Sequence, residues 1–361
     1  MRKKWQLLAA GLCMVFALTG CGSEEKASSD SNTDPKYANL SSVDLILADS
    51  AGKGAAGELF DRSFAEHLEK ITGGKIKVDF HPNGDLGNDV DLIRQLKNGD
   101  IDMVGSQIAP WASFIPQTAV FDYPMLFANY SGDAINEVLN GDTKTHAELE
   151  KAFNAAGLEL ITLEQNATFR MTTSNKPLNT LEDFKGLKIR TMENKNHMDF
   201  WSAIGASPTP LAFGELYISL QNGTVDAEEN ASDTIEGVNF QEVQKYLEDT
   251  KHILYVNQIV MNKKKYDALA PAYKEAIKQA SQEALKEMRP QMVKTDQDAI
   301  GRLEKKGMKF IQYNKAFYEQ VLALPSVKAL YQKIDAQVGD LGKTLQQDLE
   351  AAAQKFPGGK S

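Results

Sequence analysis

The sequence predicts an α/β fold, and three features of the 361-residue chain lead to that class. Short apolar stretches alternate with stretches of helical spacing over residues 43–104. An extended apolar run follows much later, at residues 253–261, and residues 266–306 have the composition of a long helix. Because strands that alternate with helices form parallel sheets covered by helices, we expect such a sheet near the N-terminus.

The first elements are predicted from their periodicity. Apolar residues three and four positions apart indicate a helix, and strict alternation indicates a half-buried strand. Gly73 and Gly74 end the first helix, as glycine commonly does. The elements predicted in this way are strands at residues 43–48, 75–80 and 101–104 and helices at residues 58–70 and 90–96.

The later elements give fewer clear signals. Thr180 is followed by Glu182 and Asp183, which is typical of a capped helix start. Pro290 lies inside the long helical region, which it is predicted to kink or break. The other predicted elements are strands at residues 158–163, 169–173, 187–189 and 253–261 and amphipathic helix up to residue 354.

Residues 1–20 have the features of a lipoprotein signal peptide. A basic start precedes an apolar stretch at residues 5–18 that is too short to span a bilayer stably. Residues 18–21 resemble a bacterial lipobox, which predicts cleavage before Cys21 and a lipid anchor on that cysteine. An ordinary secretory signal with an incidental cysteine is the alternative. Residues 21–42 are rich in Ser, Asp, Glu and Lys and are expected to form a disordered tether.

Charge and cysteine content exclude several function classes. The two cysteines are Cys13 and Cys21, so the mature domain is expected to have no disulfide, thiolate nucleophile or cysteine metal site. The formal net charge is −9, and it becomes −12 without residues 1–20, which contain three cations and no anion. Such an acidic chain is not expected to bind nucleic acid, which requires a basic surface. A site for an anion would need its own local cations.

Residues 169–230 are the most informative stretch of the chain. Within it Arg190 ends a short apolar strand, and strand ends are where an open sheet presents side chains to a ligand crevice. A guanidinium offers a planar fork of donors that fits a carboxylate bidentately. Taken alone, Arg190 is more often a surface arginine in an ion pair, and it is the surrounding pattern that favours a binding role.

Motifs at seven places carry a resemblance to a known family. They lie at residues 81–87, 95–103, 123–127, 169–174, 186–191, 205–213 and 223–230. In order and spacing, from about residue 43 to about residue 308, they resemble the solute-binding proteins of tripartite ATP-independent periplasmic (TRAP) transporters, of the dicarboxylate-binding type.

The resemblance implies a two-lobed periplasmic-binding-protein-like fold, type II-like, with a ligand cleft between the lobes and long C-terminal helices. In that class the lobes close around the ligand by a hinge motion. The implied division is lobe I at residues 43–166, completed by about 254–290, and lobe II at residues 167–253, completed by about 291–355.

The resemblance also implies a binding site. The position that matches Arg190 clamps the ligand carboxylate, and the position that matches Arg170 supplies a second cation. Glu193 departs from the family pattern; it could accept hydrogen bonds from sugar hydroxyls or simply face solvent. The other implied ligand-binding residues are Ser50, Gln107, Phe213 and Asn230.

One motif points to a different class of protein. Residues 52–57 read G-x-G-x-x-G between a strand and a helix, and Asp79 lies where a ribose-binding acid would sit in a dinucleotide-binding fold. An exported chain would not meet a nicotinamide or flavin cofactor. We therefore expect the glycines to form a turn at the cleft, with the helix N-terminus facing an anionic ligand.

The sequence contains no recognisable catalytic constellation. It has neither G-x-S-x-G nor H-E-x-x-H, and its five histidines are too widely spaced to indicate a metal site. Glu228 and Glu229 could do acid–base work, but adjacent residues of a strand point to opposite sides, and one of them is instead expected to order Arg170 or Arg190. His252 is expected to have a structural role.

The sequence therefore predicts a receptor rather than an enzyme. It is expected to bind a small organic acid, either a C4-dicarboxylate or a sugar acid, without a cofactor, and to deliver it to the membrane subunits of a TRAP permease. No residue is assigned to a metal, and a metal ion that bridges the ligand carboxylate is left open. The protein is expected to be an extracytoplasmic monomer, anchored by lipid on the periplasmic or outer face of the cell membrane. The binding lipoprotein of an ATP-driven (ABC) importer and an exported enzyme acting on a carboxylated sugar are the alternatives.

Overall fold

A computed structural model describes residues 34–358, apart from the side chains of residues 166 and 167. The expected signal peptide, Cys21 and most of the expected tether lie outside these residues. The described part is a mixed α/β structure with two β-sheets, which confirms the predicted fold class.

The strands are distributed along the whole of the described chain. In chain order they are β1 (Val43–Asp49), β2 (Ile76–His81), β3 (Met103–Gln107), β4 (Leu158–Phe169), β5 (Met171–Ser174), β6 (Lys188–Thr191), β7 (Ser207–Pro210), β8 (Ala227–Asn230), β9 (Tyr246–Glu248), β10 (Leu254–Asn262) and β11 (Lys309–Ile311). Several are separated by helices, as the sequence predicts.

The helices pack around and between the sheets. In chain order they are α1 (Pro35–Ala38), α2 (Ala56–Ile71), α3 (Asp89–Asn98), α4 (Gly132–Asn140), α5 (Lys144–Ala155), α6 (Lys195–Ala203), α7 (Phe213–Gln221), α8 (Ser232–Gly237), α9 (Lys263–Ala268), α10 (Pro271–Lys305), α11 (Lys315–Ala323), α12 (Pro325–Val338) and α13 (Asp340–Lys355). None of the helices within residues 34–358 is both long and apolar enough to cross a membrane.

The first sheet has the strand order β2-β1-β3-β10-β4. β1 is parallel to β2 and to β3, as the alternation of strands and helices predicts. β10 returns much later in the chain and pairs antiparallel with β3 and β4. The parallel strands β1 and β3 therefore end at the same edge of the sheet, where Ser50 and Gln107 lie.

The second sheet has the strand order β11-β9-β5-β8-β6-β7. β6 is parallel to β7 and β8, whereas β5 is antiparallel to β8 and β9. Arg170 is the single residue between β4 of the first sheet and β5 of the second, and its backbone N–H donates to the carbonyl of Ile253 at 2.8 Å. Two of the three crossings of the described chain between the sheets are thus hydrogen-bonded to each other, and the third runs through α10.

Apolar packing joins the two sheets on one side. One hydrophobic cluster contains Trp111 near the first sheet together with Ile189 and Trp201 near the second, and the C-terminal helices α12 and α13 complete it. Separate clusters lie under the first sheet, around Phe60, and under the second, around Leu216. The helix α10 contributes to both of these.

Three elements differ from the sequence predictions. The expected disorder does not extend to residue 42, because α1 is capped by Asp34 and buries Tyr37, which stacks on Tyr273. The two strands predicted at residues 158–163 and 169–173 are instead one long β4 followed by β5, since β4 stays paired with β10 up to Phe169 across a register shift. Pro290 does not break α10, whose residues before and after it are buried against the rest of the protein.

Candidate functional site

A pocket lies between the two sheets and is lined from both. The first sheet and its loops contribute Ser50, Gln107 and Asn257, and the second contributes Arg190 and Asn230. Arg170, at the crossing point, also lines it. The pocket has a cavity volume of about 40 Å³, and the empty space around it, which includes open solvent, amounts to about 430 Å³. Its position, beyond the ends of β1 and β3, is where open α/β sheets place ligand sites.

Arg170 is held by protein groups on nearly every donor. Its side chain is only 2% exposed. Nε donates to the Glu229 carboxylate, and Nη2 donates both to that carboxylate (3.1 Å) and to the Glu229 backbone carbonyl (2.6 Å). Nη1 donates to Gln107 Oε1 at 3.2 Å. Burial acts to lower the pKa of Arg170, but the adjacent Glu229 carboxylate outweighs it and the pKa is raised.

Glu229 is the centre of this buried network. Burial alone would raise its pKa, but Arg170 and a hydrogen bond from His252 Nε2 (3.0 Å) hold it well below the ordinary value. The ring of His252 is fixed on its other side by Thr250 Oγ1, 2.9 Å from Nδ1. Burial lowers the pKa of His252, which favours a neutral ring. The structure therefore shows which glutamate orders Arg170, and His252 has the structural role expected from the sequence.

Arg190 has a different environment in the same pocket. It is 1% exposed, and Nε and Nη2 donate to a single acceptor, the Leu211 carbonyl, at 3.0 and 2.8 Å. Its Nη1 is buried and has no hydrogen-bond partner among the described residues, and no described carboxylate lies within ion-pair distance of its guanidinium. Burial lowers the pKa of Arg190 because this cation is only weakly compensated. An anion placed beside Nη1 would provide the missing partner.

The structure brings six of the seven implied ligand-binding residues into this one pocket. Besides the two arginines, the lining includes the ring of Phe213, 5.9 Å from the Arg190 guanidinium carbon. Asn230 donates to Glu228 at 3.2 Å and keeps its place at the end of β8. The lining residues that were expected are Ser50, Gln107, Arg170, Arg190, Phe213 and Asn230.

Glu193 is not among the residues that line the pocket, whereas its neighbour Met192 lines it. Glu193 is half-buried and lies close enough to add to the effect of burial on Asp89, whose pKa rises to about 6. A contact between Glu193 and ligand hydroxyls therefore has no support from the pocket lining.

Sequence reasoning missed several lining residues, of which the acids matter most. Asp89 begins α3 directly after its cap Asn88, and it accepts a hydrogen bond from Ser50 at 2.6 Å. Asp49 ends β1, and burial raises its pKa to about 7 while it shares a hydrogen bond with Asp61. Both acids could have been identified from their positions along the predicted elements, because one lies at the end of a strand and the other at the start of a helix, and these ends face the pocket.

Asn257 was also missed. It lies opposite Gln107 in the pairing of β10 with β3, and it accepts a hydrogen bond from Gln107 Nε2 at 2.6 Å. Its own Nδ2 donates to Glu164 at 2.9 Å. Asn257 and its neighbour Gln258 are polar residues within a mostly apolar strand, and polarity alone did not show that Asn257 faces a ligand pocket.

The glycine motif at residues 52–57 builds the wall of the pocket. Gly54 has φ +84°, a left-handed conformation that favours glycine. A Cβ on Gly57 would lie 2.8 Å from Asn257 Nδ2, so only glycine lets α2 approach β10 this closely. Asp79 is 70% exposed, pairs with His81 and does not line the pocket. The glycines thus have a packing role, and the acid of a ribose site is missing from the pocket.

The described residues contain no group of three or more His, Cys, Asp or Glu side chains placed to hold a metal ion. What the pocket offers instead is one unsatisfied guanidinium, amide groups and two carboxyl groups. This arrangement can hold a carboxylate at one end of a ligand and hydrogen-bond donors at the other.

Comparison with known proteins agrees with this chemistry. Residues 53–337 match the family described as bacterial extracellular solute-binding protein, family 7. The sialic acid-binding periplasmic protein SiaP of Vibrio cholerae is 30% identical over 281 residues, which are 77% of this chain and 84% of the relative.

Solved structures give the same result. A TRAP periplasmic solute-binding protein from Desulfovibrio salexigens, with bound orotic acid, is 27% identical with a TM-score of 0.79, covering 87% of this chain and 99% of that one. The sugar acid-binding protein of Advenella mimigardefordensis, in complex with galactonate, is also 27% identical with a TM-score of 0.79, covering 88% and 99%. The family resemblance and the periplasmic-binding-protein type of fold are thereby confirmed.

Proposed function

Because this chain belongs to the bacterial extracellular solute-binding protein family 7, we propose that it is the receptor of a TRAP transporter, which binds the carboxylate of a small organic acid on Arg190 and delivers the acid to the membrane permease. The observation that carries this proposal is the buried Nη1 of Arg190, which has no hydrogen-bond partner among the described residues and lies in a pocket between the two sheets.

A buried cation without a counter-ion is costly, because it has lost water without gaining a partner. A ligand carboxylate would restore that partner, and its two oxygens could accept from a guanidinium in parallel. Arg170 cannot fill this role as well, since Glu229 already occupies its donors. Arg170 instead adds positive charge and, through Gln107, holds the polar wall of the pocket.

The ligands of related proteins support the choice of an acid. Orotic acid and galactonate in the two solved structures, and the sialic acid named for SiaP, each carry a carboxylate. The relatives are described as binding proteins, which favours a receptor over an enzyme acting on a carboxylated sugar. The protein from Desulfovibrio salexigens is described as a TRAP solute-binding protein, which favours a TRAP transporter over an ABC importer.

The proposal extends to the location and division of the chain. Residues 1–20 would direct export, and Cys21 would carry lipid and hold the receptor at the membrane that contains its permease. Lobe I, at residues 43–166 and about 254–290, would close on lobe II, at residues 167–253 and about 291–355. Closure would bury the carboxylate against Arg190.

A thermal-shift screen tests the proposal. The purified protein is melted with orotate, galactonate, galacturonate, erythronate and sialic acid and with neutral amide or alcohol analogues of each. A ligand that binds only the folded state raises the melting temperature, so we expect a shift with one or more acids and none with its neutral analogue. Unchanged acid recovered after incubation would separate a receptor from an enzyme. Equal shifts with acid and neutral analogue, or an unaltered response in an Arg190→Ala variant, would contradict the carboxylate clamp.

A further inference from the structure

A second cavity adjoins the ligand pocket. It shares Ser50, Gly52, Asp89 and Phe213 with the inner pocket, so the two spaces lie side by side. This outer chamber has a volume of about 500 Å³. Ligand sites for drug-sized molecules typically occupy roughly 300–1,000 Å³, so the chamber by itself has room for a group attached to the acid.

One wall of the outer chamber is aromatic. Phe213 and Tyr217 lie four residues apart on α7, which places them on the same face of that helix. Phe240 packs against both, with ring centroids 6.3 Å from Phe213 and 6.4 Å from Tyr217. The Tyr217 hydroxyl donates to Glu242 at 2.8 Å, which fixes the ring. The three rings thus pack together as one apolar surface.

The opposite wall is polar and acidic. It consists of Asn83, Asn88, Asp89 and Asp91, from the loop after β2 and the start of α3. Among the residues that the structure describes, no lysine, arginine or histidine lines the outer chamber, whereas the inner pocket contains both arginines. A second carboxylate in the outer chamber would meet acidic side chains and no cation.

We propose that the outer chamber is a subsite for a neutral sugar ring attached to the acid, so that this receptor binds a glycosylated sugar acid with one carboxylate. The apolar C–H face of a pyranose would pack on Phe213 and Tyr217, while its hydroxyls donate to Asp89, Asp91 and the asparagine side chains. This inference rests on the proposed function, because the carboxylate on Arg190 sets the direction of the ligand.

Gluconate and lactobionate form a matched pair of probes. Lactobionate is gluconate with a neutral galactosyl group on its fourth carbon, so the two share the carboxylate and differ only in the ring that the outer chamber would receive. By calorimetry we expect lactobionate to bind about tenfold more tightly than gluconate, or better, which corresponds to about 1.4 kcal/mol. Glucarate, with a second carboxylate at the far end, is expected to bind more weakly than gluconate.

Variants on α7 test whether the tighter binding of lactobionate depends on the outer chamber. Tyr217→Ala should weaken lactobionate about tenfold and leave gluconate within about twofold, because only the attached ring contacts Tyr217. Tyr217→Phe keeps the aromatic face and should keep most of the lactobionate advantage. Ile218→Ala, at a neighbouring position that is 58% exposed and does not line either cavity, should change neither affinity.

The failures of the two proposals are distinguishable. If lactobionate does not bind, or binds no better than gluconate, the sugar subsite is wrong whatever other acids bind. If Tyr217→Ala weakens both probes equally, Tyr217 supports the pocket as a whole and the subsite is again wrong. The proposed function is tested separately. It is wrong if the acids bind to the Arg190→Ala variant as tightly as to the unaltered protein.

Discussion

Arg170 and Arg190 line one pocket and are equally buried, yet the protein treats them in opposite ways. Arg170 has a carboxylate partner, a backbone carbonyl and an amide oxygen for its donors. Two nitrogens of Arg190 share one carbonyl, and the third has no partner among the described residues. The two arginines therefore differ in their partners and not in their exposure, which fits a structural role for Arg170 and the proposed ligand-binding role of Arg190.

The largest expected effect is on folding stability at Arg170. Replacing Arg170 with Met removes the counter-ion of a buried carboxylate, and breaking such a pair costs about 3–5 kcal/mol. Arg190→Met, at a site with no ion pair among the described residues, should change the free energy of unfolding by far less. Denaturant unfolding of the ligand-free proteins measures both, and equal losses would show that the two arginines are not distinct. Adding Glu229→Gln to Arg170→Met should recover part of the loss.

The ligand affinities should show the reverse order. Arg190→Ala is expected to lose about 2–5 kcal/mol of binding free energy, because the ligand carboxylate would be buried without its partner. Arg190→Lys should also bind poorly, since an ammonium lacks the planar fork. Arg170→Ala should lose less affinity per folded molecule. Calorimetry with an acid found in the thermal-shift screen gives the loss of affinity for each of the three variants. A greater loss for Arg170→Ala than for Arg190→Ala would mean that Arg170 is the residue that binds the carboxylate.

The two glutamates beside Arg170 should respond oppositely to pH. Burial raises the pKa of Glu228 to about 7, so its protonated form stabilises the fold and that contribution is lost as the pH rises from about 4.5 to 7. The pKa of Glu229 is instead held low, so its contribution is present above about 4.5 and is lost only as the pH falls below that value.

Glu228→Gln should therefore flatten the decline in stability between pH 5 and 8, by an amount on the order of 1–3 kcal/mol. Glu229→Gln should leave that decline in place and lower stability at neutral pH. Denaturant unfolding at several pH values measures both curves. A decline that is unaffected by Glu228→Gln would mean that other buried carboxyl groups, such as Glu248 with a pKa of about 8, account for it.

The smallest expected effect comes from the glycine motif. Gly57→Ala would press a methyl group against Asn257, which is held by Gln107 and Glu164 and cannot turn away without losing those bonds. Overpacking of this kind typically costs about 1–3 kcal/mol. Since Gln107 also contacts Arg170, the change should disturb the Arg170 side of the pocket and leave the Arg190 side intact. A control, Gly214→Ala, has open space at the Cβ position and should be tolerated.

Elements with strong periodicity were predicted well. β1, β2 and β3 and the helices between them lie within a few residues of their predicted positions, because each buries one face and so carries a regular apolar pattern. Pro290 was predicted to kink or break its helix; the helix is not broken there, and the kink stays a prediction. A proline removes one backbone donor, and packing of Ala284 and Met292 on either side keeps α10 in place.

The candidate site was predicted through family motifs more than through chemistry. Those motifs named Arg190, Arg170 and Asn230, whose place in one pocket the sequence could not show. Asp89 and Asn257 were missed because a polar residue at a helix start or in a strand is compatible with many surroundings. Glu193 was predicted to bind the ligand because it departs from the family pattern, but its neighbour Met192 lines the pocket instead.

The α/β class, the family and the residues that could bind an anion can be predicted from the sequence alone. These depend on local periodicity and on short motifs, both of which lie in consecutive residues. Which arginine is paired depends on the folded chain, because the partner of Arg170 lies 59 residues away, on a strand that only the second sheet brings beside it. The cavity that adjoins the pocket at Phe213 likewise exists only in the folded chain, since its walls come from distant parts of the sequence.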